Sequence, residues 1–306
     1  MTFARRTAAP NGPPGRTLEH ARRHVATWLT APTWVILMAL FAVPLAVGVY
    51  LSFRSENLSS LGGGEFIGFE NYTREVLSRD FVAALRTTVL VMVIGMVVQL
   101  PLALVLAVFL RWNLRGTRFY RSVLLLPMLL TPVAVGLMWR FMLNTDLGII
   151  NWLLTETGFG AVRWLGDPAS AIAAVVLVDS WQAVPFLMLL LLAGLAGLSG
   201  EPEAAAAVDG ANGFQVFRYV TLPMLKPVLL VALMLRLIDG IKLFDTIFIV
   251  TGGGPGTATQ TLSLLDYRVG FTFLATSRGA AIGVVLALMT LPVYFIWRRV
   301  IGVEAR

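Results

Sequence analysis

Six long apolar runs alternate with polar connectors along the chain, at residues 34–53, 87–110, 122–143, 171–198, 224–250 and 279–297. At 1.5 Å per residue, each is long enough to cross a hydrocarbon layer of about 30 Å. The pattern predicts an all-α polytopic membrane protein with six transmembrane helices, and an even number of crossings returns both ends to one side. The runs carry breakers: Pro101, Pro127, Pro132, Pro185 and Pro292 lie inside them. Each proline removes a backbone hydrogen bond and favours a kink, and in lipid the freed carbonyls need partners from neighbouring helices or cavity water. Kinked helices around a cavity suit a transporter better than an anchor.

The connectors differ in character. Residues 1–30 are rich in Arg, Pro, Gly and Ala and read as a flexible cytosolic tail ahead of a membrane domain at 31–306. The run that follows is too long for a signal-peptide core and has no small-residue cleavage site. Within residues 144–170, LGIINWLLTETGFG is too short to span and predicts a helix lying at the outer interface. The loop at 199–226 is the most structured connector. Glu203, Ala204 and Ala205 open an alanine-rich helix just after Pro202, a residue suited to a first helical turn. Asp209-Gly210 reads as a turn, because Gly takes the left-handed conformation without steric cost. Phe214, Phe217 and Val220 recur every three residues, giving a second helix one apolar edge before Leu222-Pro223 stops it. An elbow of this size cannot bury that edge by itself, so it needs a partner surface.

Composition agrees with the pattern. The chain is 57% hydrophobic and 13% charged, against roughly 25% charged in a soluble domain. Its net charge of +7 comes from arginines beside the apolar runs rather than from a basic stripe with interleaved aromatics, which argues against nucleic acid. Instead those charges report topology. The tail, residues 111–121, the 199–226 loop and the C-terminus hold fourteen Lys or Arg against seven on the other side, which predicts both termini in the cytosol. There is no cysteine, and His20 and His24 both lie in the tail, so neither a disulfide nor a zinc site is expected.

Charges inside the runs call for a reason. Arg236, Asp239, Lys242 and Asp245 alternate in sign along the fifth run, and each would cost roughly 2.5–3.5 kcal/mol at the bilayer centre. They must pair along the helix or face water. Asp179, Trp181 and Gln182 in the fourth run, and Arg140 with Asn144 at the outer end of the third, are further polar intrusions. Planar hydrogen-bonding groups beside an aromatic ring, as at Trp181-Gln182, suit a solute with polar edges and an apolar face. Trp181, Gln182, Asp239, Lys242, Asp245 and Asn144 are therefore candidates for a substrate pathway.

Three strings carry a resemblance. Ala204-Ala205-Ala206, Gly210 and Val220-Thr221-Leu222-Pro223 have the spacing of the cytoplasmic loop in permease subunits of binding-protein-dependent ABC importers. Ile-Gly-Phe-Glu-Asn-Tyr at 67–72 and LFDTIFIVTGGGPGTATQTL from Leu243 are similar to carbohydrate-type members of that family. The resemblance covers residues 85–300 as a core module and implies the type I importer permease fold. It further implies a multi-pass location in a bacterial cell membrane, with Glu203, Ala204, Ala205, Asp209, Gly210, Phe214, Phe217, Leu222 and Pro223 coupling to an ATPase. The partners it implies are a second homologous permease, two ATP-binding cassette subunits that bind ATP and Mg, an extracytoplasmic solute-binding protein and the lipid bilayer. The chain departs from the family at one point, since Glu203 sits one residue before the place that spacing gives the family's Glu. The glycine-rich string lacks the Gly-Lys-Ser/Thr ending of a P-loop, so no cofactor is expected in this chain and it is not expected to be an enzyme. An ion-gradient transporter using the fifth-run carboxylates is the alternative; it leaves the loop spacing without a reason.

Overall fold

The computed structural model describes residues 15–55, 64–112 and 115–304. The first fourteen residues of the expected tail, with Arg5 and Arg6, and the side chains of His20 and His24 lie outside the described part. Among the described residues the secondary structure is helical apart from one isolated bridge between Arg54 and Phe66. Helix α1 (Gly15–Ser52) belongs to a first unit that ends at Tyr50. Its helix starts inside the segment expected to be irregular. Residues 16–31 contain neither Gly nor Pro, so they extend an existing helix without the cost of a new nucleus. From Thr30 the helix is apolar enough to cross a membrane, yet only 6% of that stretch is buried.

The second unit holds the other helices. They are α2 (Glu70–Val76), α3 (Arg79–Arg111), α4 (Thr117–Leu129), α5 (Pro132–Met142), α6 (Ile149–Glu156) and α7 (Pro168–Ala196). After them come α8 (Glu201–Val208), α9 (Gly213–Val216), a π-helical turn (Phe217–Thr221), α10 (Leu222–Ile241), α11 (Asp245–Val250), α12 (Leu262–Tyr267) and α13 (Thr276–Glu304). Five helices among the described residues are long and apolar enough to span, and α4 with α5 makes a sixth if that bent pair is one crossing.

Helix α3 shows why a lipid-facing helix inverts the soluble pattern. Its buried stripe is Ala84, Thr88, Val91, Gly95, Gln99, Ala103 and Ala107, whereas Val97, Leu102, Val105 and Phe109 are exposed. Lipid tails are as apolar as Leu, so burial selects small residues that let backbones approach and polar residues that bond across helices. The stripe packs against α7, and Ala103 and Ala107 join Leu187, Met188, Leu191 and Leu225 in the largest apolar cluster. At the other end Phe81 and Ala84 pack with Leu262, Leu265 and Ile282.

Three further expectations change. The third run is not one helix: α4 and α5 meet at 98°. Residue 131 precedes a proline and is pushed to extended backbone, and Thr131, extended, caps α5 by accepting from the Ala134 N–H. The fifth run is also broken, between Ile241 and Asp245. The freed Ile241 and Leu243 carbonyls accept hydrogen bonds from the hydroxyls of Ser263 and Thr261, as a break in lipid requires. The charges at 236, 239, 242 and 245 therefore do not form one ladder. Finally, Leu222-Pro223 does not stop the second elbow helix. Helix continues from Gly213 to Ile241, because the preceding turn is π-helical and the Pro223 ring meets a widened turn rather than a tight one.

Candidate functional site

The elbow is built from local signals. Pro202 lies in the first turn of α8, and Gly210 has φ +86 with nothing within 4 Å of a built Cβ. Its left-handed backbone closes the turn after Asp209. Asn212 then opens α9 with a capping box: its side chain accepts from the Gln215 N–H while the Gln215 side chain accepts from the Asn212 N–H. The polar pair three residues apart was visible in the sequence. Ala204 and Ala205 sit within α8, and Phe217 and Leu222 open the π turn and α10; of the expected edge, Phe214 is exposed whereas Phe217 and Val220 are half-buried. Val208, Phe214 and Tyr219 are respectively 88%, 74% and 73% exposed, which leaves an apolar rim uncovered among the described residues.

Glu203 has a role that the loop spacing did not show. Its two oxygens accept from both terminal nitrogens of Arg111, each at 2.8 Å, and one also accepts from the Thr221 hydroxyl at 2.7 Å. The Arg111 hydrogen bonds hold the Glu203 carboxyl below the usual carboxylate range, against the opposing effect of partial burial. A single carboxylate thus ties α8 to the last residue of α3 and to the turn that leads into α10. Between these elements lies a cleft of about 620 Å³, lined by Val108, Trp112, Ala207, Phe214 and Phe217 among others.

A second polar centre lies between the long helices. Arg236 on α10 donates to Asp179 on α7 and to Gln99 on α3. Gln99 in turn donates to Asp179 at 2.7 Å and to Ser180 at 3.1 Å. Arg236 and Asp179 are 5% and 7% exposed, so this ion pair joins helices distant in sequence. Gly95 makes room for it, since a Cβ there would lie 3.3 Å from the Gln99 amide.

Beside this centre is a cavity of about 280 Å³ lined by Gln182, Ala183, Phe186, Arg236 and Asp239, among others. It brings together two of the candidate pathway residues, Gln182 and Asp239. Gln182 donates one amide hydrogen to the Leu130 carbonyl at the α4–α5 bend, at 3.0 Å. Asp239 pairs with Lys242 at 3.5 Å, both side chains being more than half exposed. The other candidates are placed elsewhere. Trp181 packs edge-on against Trp139 and lines a nearly all-hydrocarbon groove of about 810 Å³ between α3, α4 and α7. Asn144 accepts from the Asp146 and Leu147 N–H groups, a local turn. Asp245 is the exposed first residue of α11.

The connectors at 144–170 and 251–278 carry buried side chains that sequence reasoning passed over. Buried Asn151 donates to the Thr145 and Val162 carbonyls and accepts from the Val162 N–H and the Trp164 indole. In α12, burial pushes the Asp266 carboxyl up to about 6, and Gly283 on α13 lies against it. No group of three or more potential metal ligands occurs among the described residues.

Residues 99–302, from the Gln99 centre through the elbow to α13, match the family described as "binding-protein-dependent transport system inner membrane component". The chain belongs to this family. It is therefore a multi-pass inner-membrane permease component of an ABC importer, a system that implies a solute-binding protein and ATPase partners. The ion-gradient alternative finds no support. Among its relatives, a probable ABC transporter permease of Sinorhizobium fredii is 37% identical over 95% of this chain and 96% of its own. The trehalose/maltose transport system permease protein MalF of Thermococcus litoralis is 32% identical over 92% and 95%. The sulfoquinovosyl glycerol transport system permease SmoG of Agrobacterium fabrum is 35% identical over 94% and 93%. In fold, the permease resembles a chain of a bacterial alginate ABC transporter solved with its alginate-bound periplasmic protein, with a TM-score of 0.79 at 20% identity over 93% and 96%.

Proposed function

We propose that this permease forms half of the translocation pathway of an ATP-driven carbohydrate importer and couples to its motor through the 203–223 elbow. The observation that carries this reading is the elbow itself, a capped helix–turn–helix whose apolar rim at Val208, Phe214 and Tyr219 is left uncovered. A rim of that kind fits a groove on another protein. Asp209 and Gly210 shape the tip of the elbow, and Leu222 and Pro223 carry its motion into α10. The complete machine pairs this chain with a second, similar permease, two cytosolic ATPase subunits that bind ATP and Mg, and an extracytoplasmic binding protein. Both termini of this chain lie in the cytosol, as its arginine distribution favours. Closure of the ATPase pair moves the elbow and tilts the helices between inward and outward openings.

For the substrate class, the cavity beside Arg236 supplies the needed chemistry. Gln182 keeps its second amide hydrogen and its Oε1, Asp239 offers acceptor oxygens, and Phe186 offers a ring face for the C–H side of a sugar. Relatives named for trehalose/maltose and sulfoquinovosyl glycerol point the same way, and a disaccharide of the trehalose or maltose type is the leading substrate. Reconstituted complex in vesicles loaded with ATP, with ion gradients collapsed, should take up labelled trehalose or maltose. Asp239→Asn should lower that uptake without loss of assembly. Uptake that needs an ion gradient, or that ignores both Asp239→Asn and Gln182→Ala, sinks the proposal.

A further inference from the structure

The Arg111–Glu203–Thr221 junction sits where three moving parts meet. α8 hangs from the end of α7 by a four-residue link, and among the described residues its charged attachment is Glu203. A bidentate Arg–carboxylate pair fixes orientation as well as distance, because two parallel N–H···O bonds resist rotation in a way a point charge does not. Thr221 adds a third bond from a residue that is 4% exposed and immediately precedes α10. The far end of this attachment is the C-terminal residue of α3, a helix that reaches Gln99 and its bonds to α7 and α10 about 18 Å away along the axis. The elbow is thus connected to the helices that line the Gln182–Asp239 cavity by two rigid routes, one through α10 and one through α3.

Resting on the reading that the elbow receives the motor's motion, we infer that Arg111, Glu203 and Thr221 form a positioning clamp that makes the elbow, α3 and α10 a single lever. Without the clamp the elbow still docks, but it swings on α10 alone and its displacement is not delivered to α3. Hydrolysis then runs with little transport. In this chain Glu203 is engaged internally, so its role is transmission within the permease rather than contact with the ATPase.

The test uses the complete complex with its binding protein, reconstituted in vesicles, and measures labelled sugar uptake and ATP hydrolysis in the same preparation. Arg111→Met and Glu203→Gln should each lower the uptake per ATP about fivefold or more while the ATPase subunits still co-purify. The double variant should be no worse than either single one, because the two residues act as a unit. Arg111→Lys should restore little, since it keeps the charge and loses the fork. Because the native chain has no cysteine, Arg111→Cys with Glu203→Cys can be bridged by a short bifunctional thiol reagent, and bridging should restore the ratio. A normal uptake-to-hydrolysis ratio in Arg111→Met, additive losses in the double variant, loss of ATPase capture in the single variants, or no recovery on bridging overturns the clamp. Deletion of Asp209–Asn212 separates this from the underlying reading: hydrolysis that stays coupled after that deletion removes the elbow's role altogether, whatever Arg111 does.

Discussion

Replacing Arg236 by Met tests whether the buried ion pair, rather than apolar packing alone, sets the geometry of the long helices. The substitution keeps the length of the side chain's stem and removes both donors that face Gln99 and Asp179. Asp179, 7% exposed, is then left as a carboxylate with only the Gln99 amide for support. Breaking one side of a buried pair costs about 3–5 kcal/mol, because the remaining charge stays desolvated. The Gln99 Oε1 also loses its donor, which adds on the order of 1 kcal/mol. In Arg236→Met/Asp179→Leu the uncompensated charge is gone, and the penalty should shrink to within about 1–2 kcal/mol of the native chain. Reversible unfolding in mixed micelles, titrated with a denaturing detergent, reads all three variants against the wild type. A single variant within 1 kcal/mol of wild type, or a double variant no better than the single one, would refute the claim that this pair holds α3, α7 and α10 in register.

Glycines give a matched pair of tests. Gly210→Ala meets no neighbour within 4 Å, so its cost is the left-handed backbone alone, about 1–2 kcal/mol, read as faster proteolytic nicking of the elbow. Gly136→Ala would put a Cβ 2.8 Å from two Ile249 carbons; overpacking costs about 1–3 kcal/mol and should loosen α5 from α11, measured as a drop in melting temperature. For Asp266, a folded value of about 6 lies above the ordinary 3.8, so the stability it contributes is full below the ordinary value and is lost as pH rises through 6. Asp266→Asn should therefore raise stability at pH 7 by up to about 3 kcal/mol and show little gain at pH 4. For Glu203 the sign is opposite, its carboxyl being held down by Arg111. The clamp is complete at neutral pH, so uptake per ATP should not vary between pH 6 and 8.

The membrane class, the positions of the apolar runs, and the start and turn of the elbow were legible because they rest on local rules: run length, a Pro in a first turn, an Asp-Gly turn. What sequence reasoning missed is non-local. The carbonyl partners that let α4–α5 bend and α10–α11 separate are Gln182, Thr261 and Ser263, all far along the chain. Arg236 was legible as a charge that must pair, yet spacing along one helix suggested Asp239, while the partner is Asp179 fifty-seven residues away. Likewise Glu203 looked displaced when counted from Gly210, and only the end of α3 shows what it holds. Residue type singles out the candidate pathway residues but does not place them together in space. Gln182 and Asp239 share a cavity, Trp181 packs against Trp139, and Asn144 accepts from two N–H groups of a local turn.

The corner between α4 and α5 is held by the Leu130 carbonyl and the Gln182 amide. A bare carbonyl in hydrocarbon is costly, so in a dry bilayer interior that amide keeps the corner from drifting. Where water reaches the cavity beside Gln182, it can donate to the same carbonyl in the amide's place. The stiffness of this corner would therefore follow how much water the cavity beside it holds.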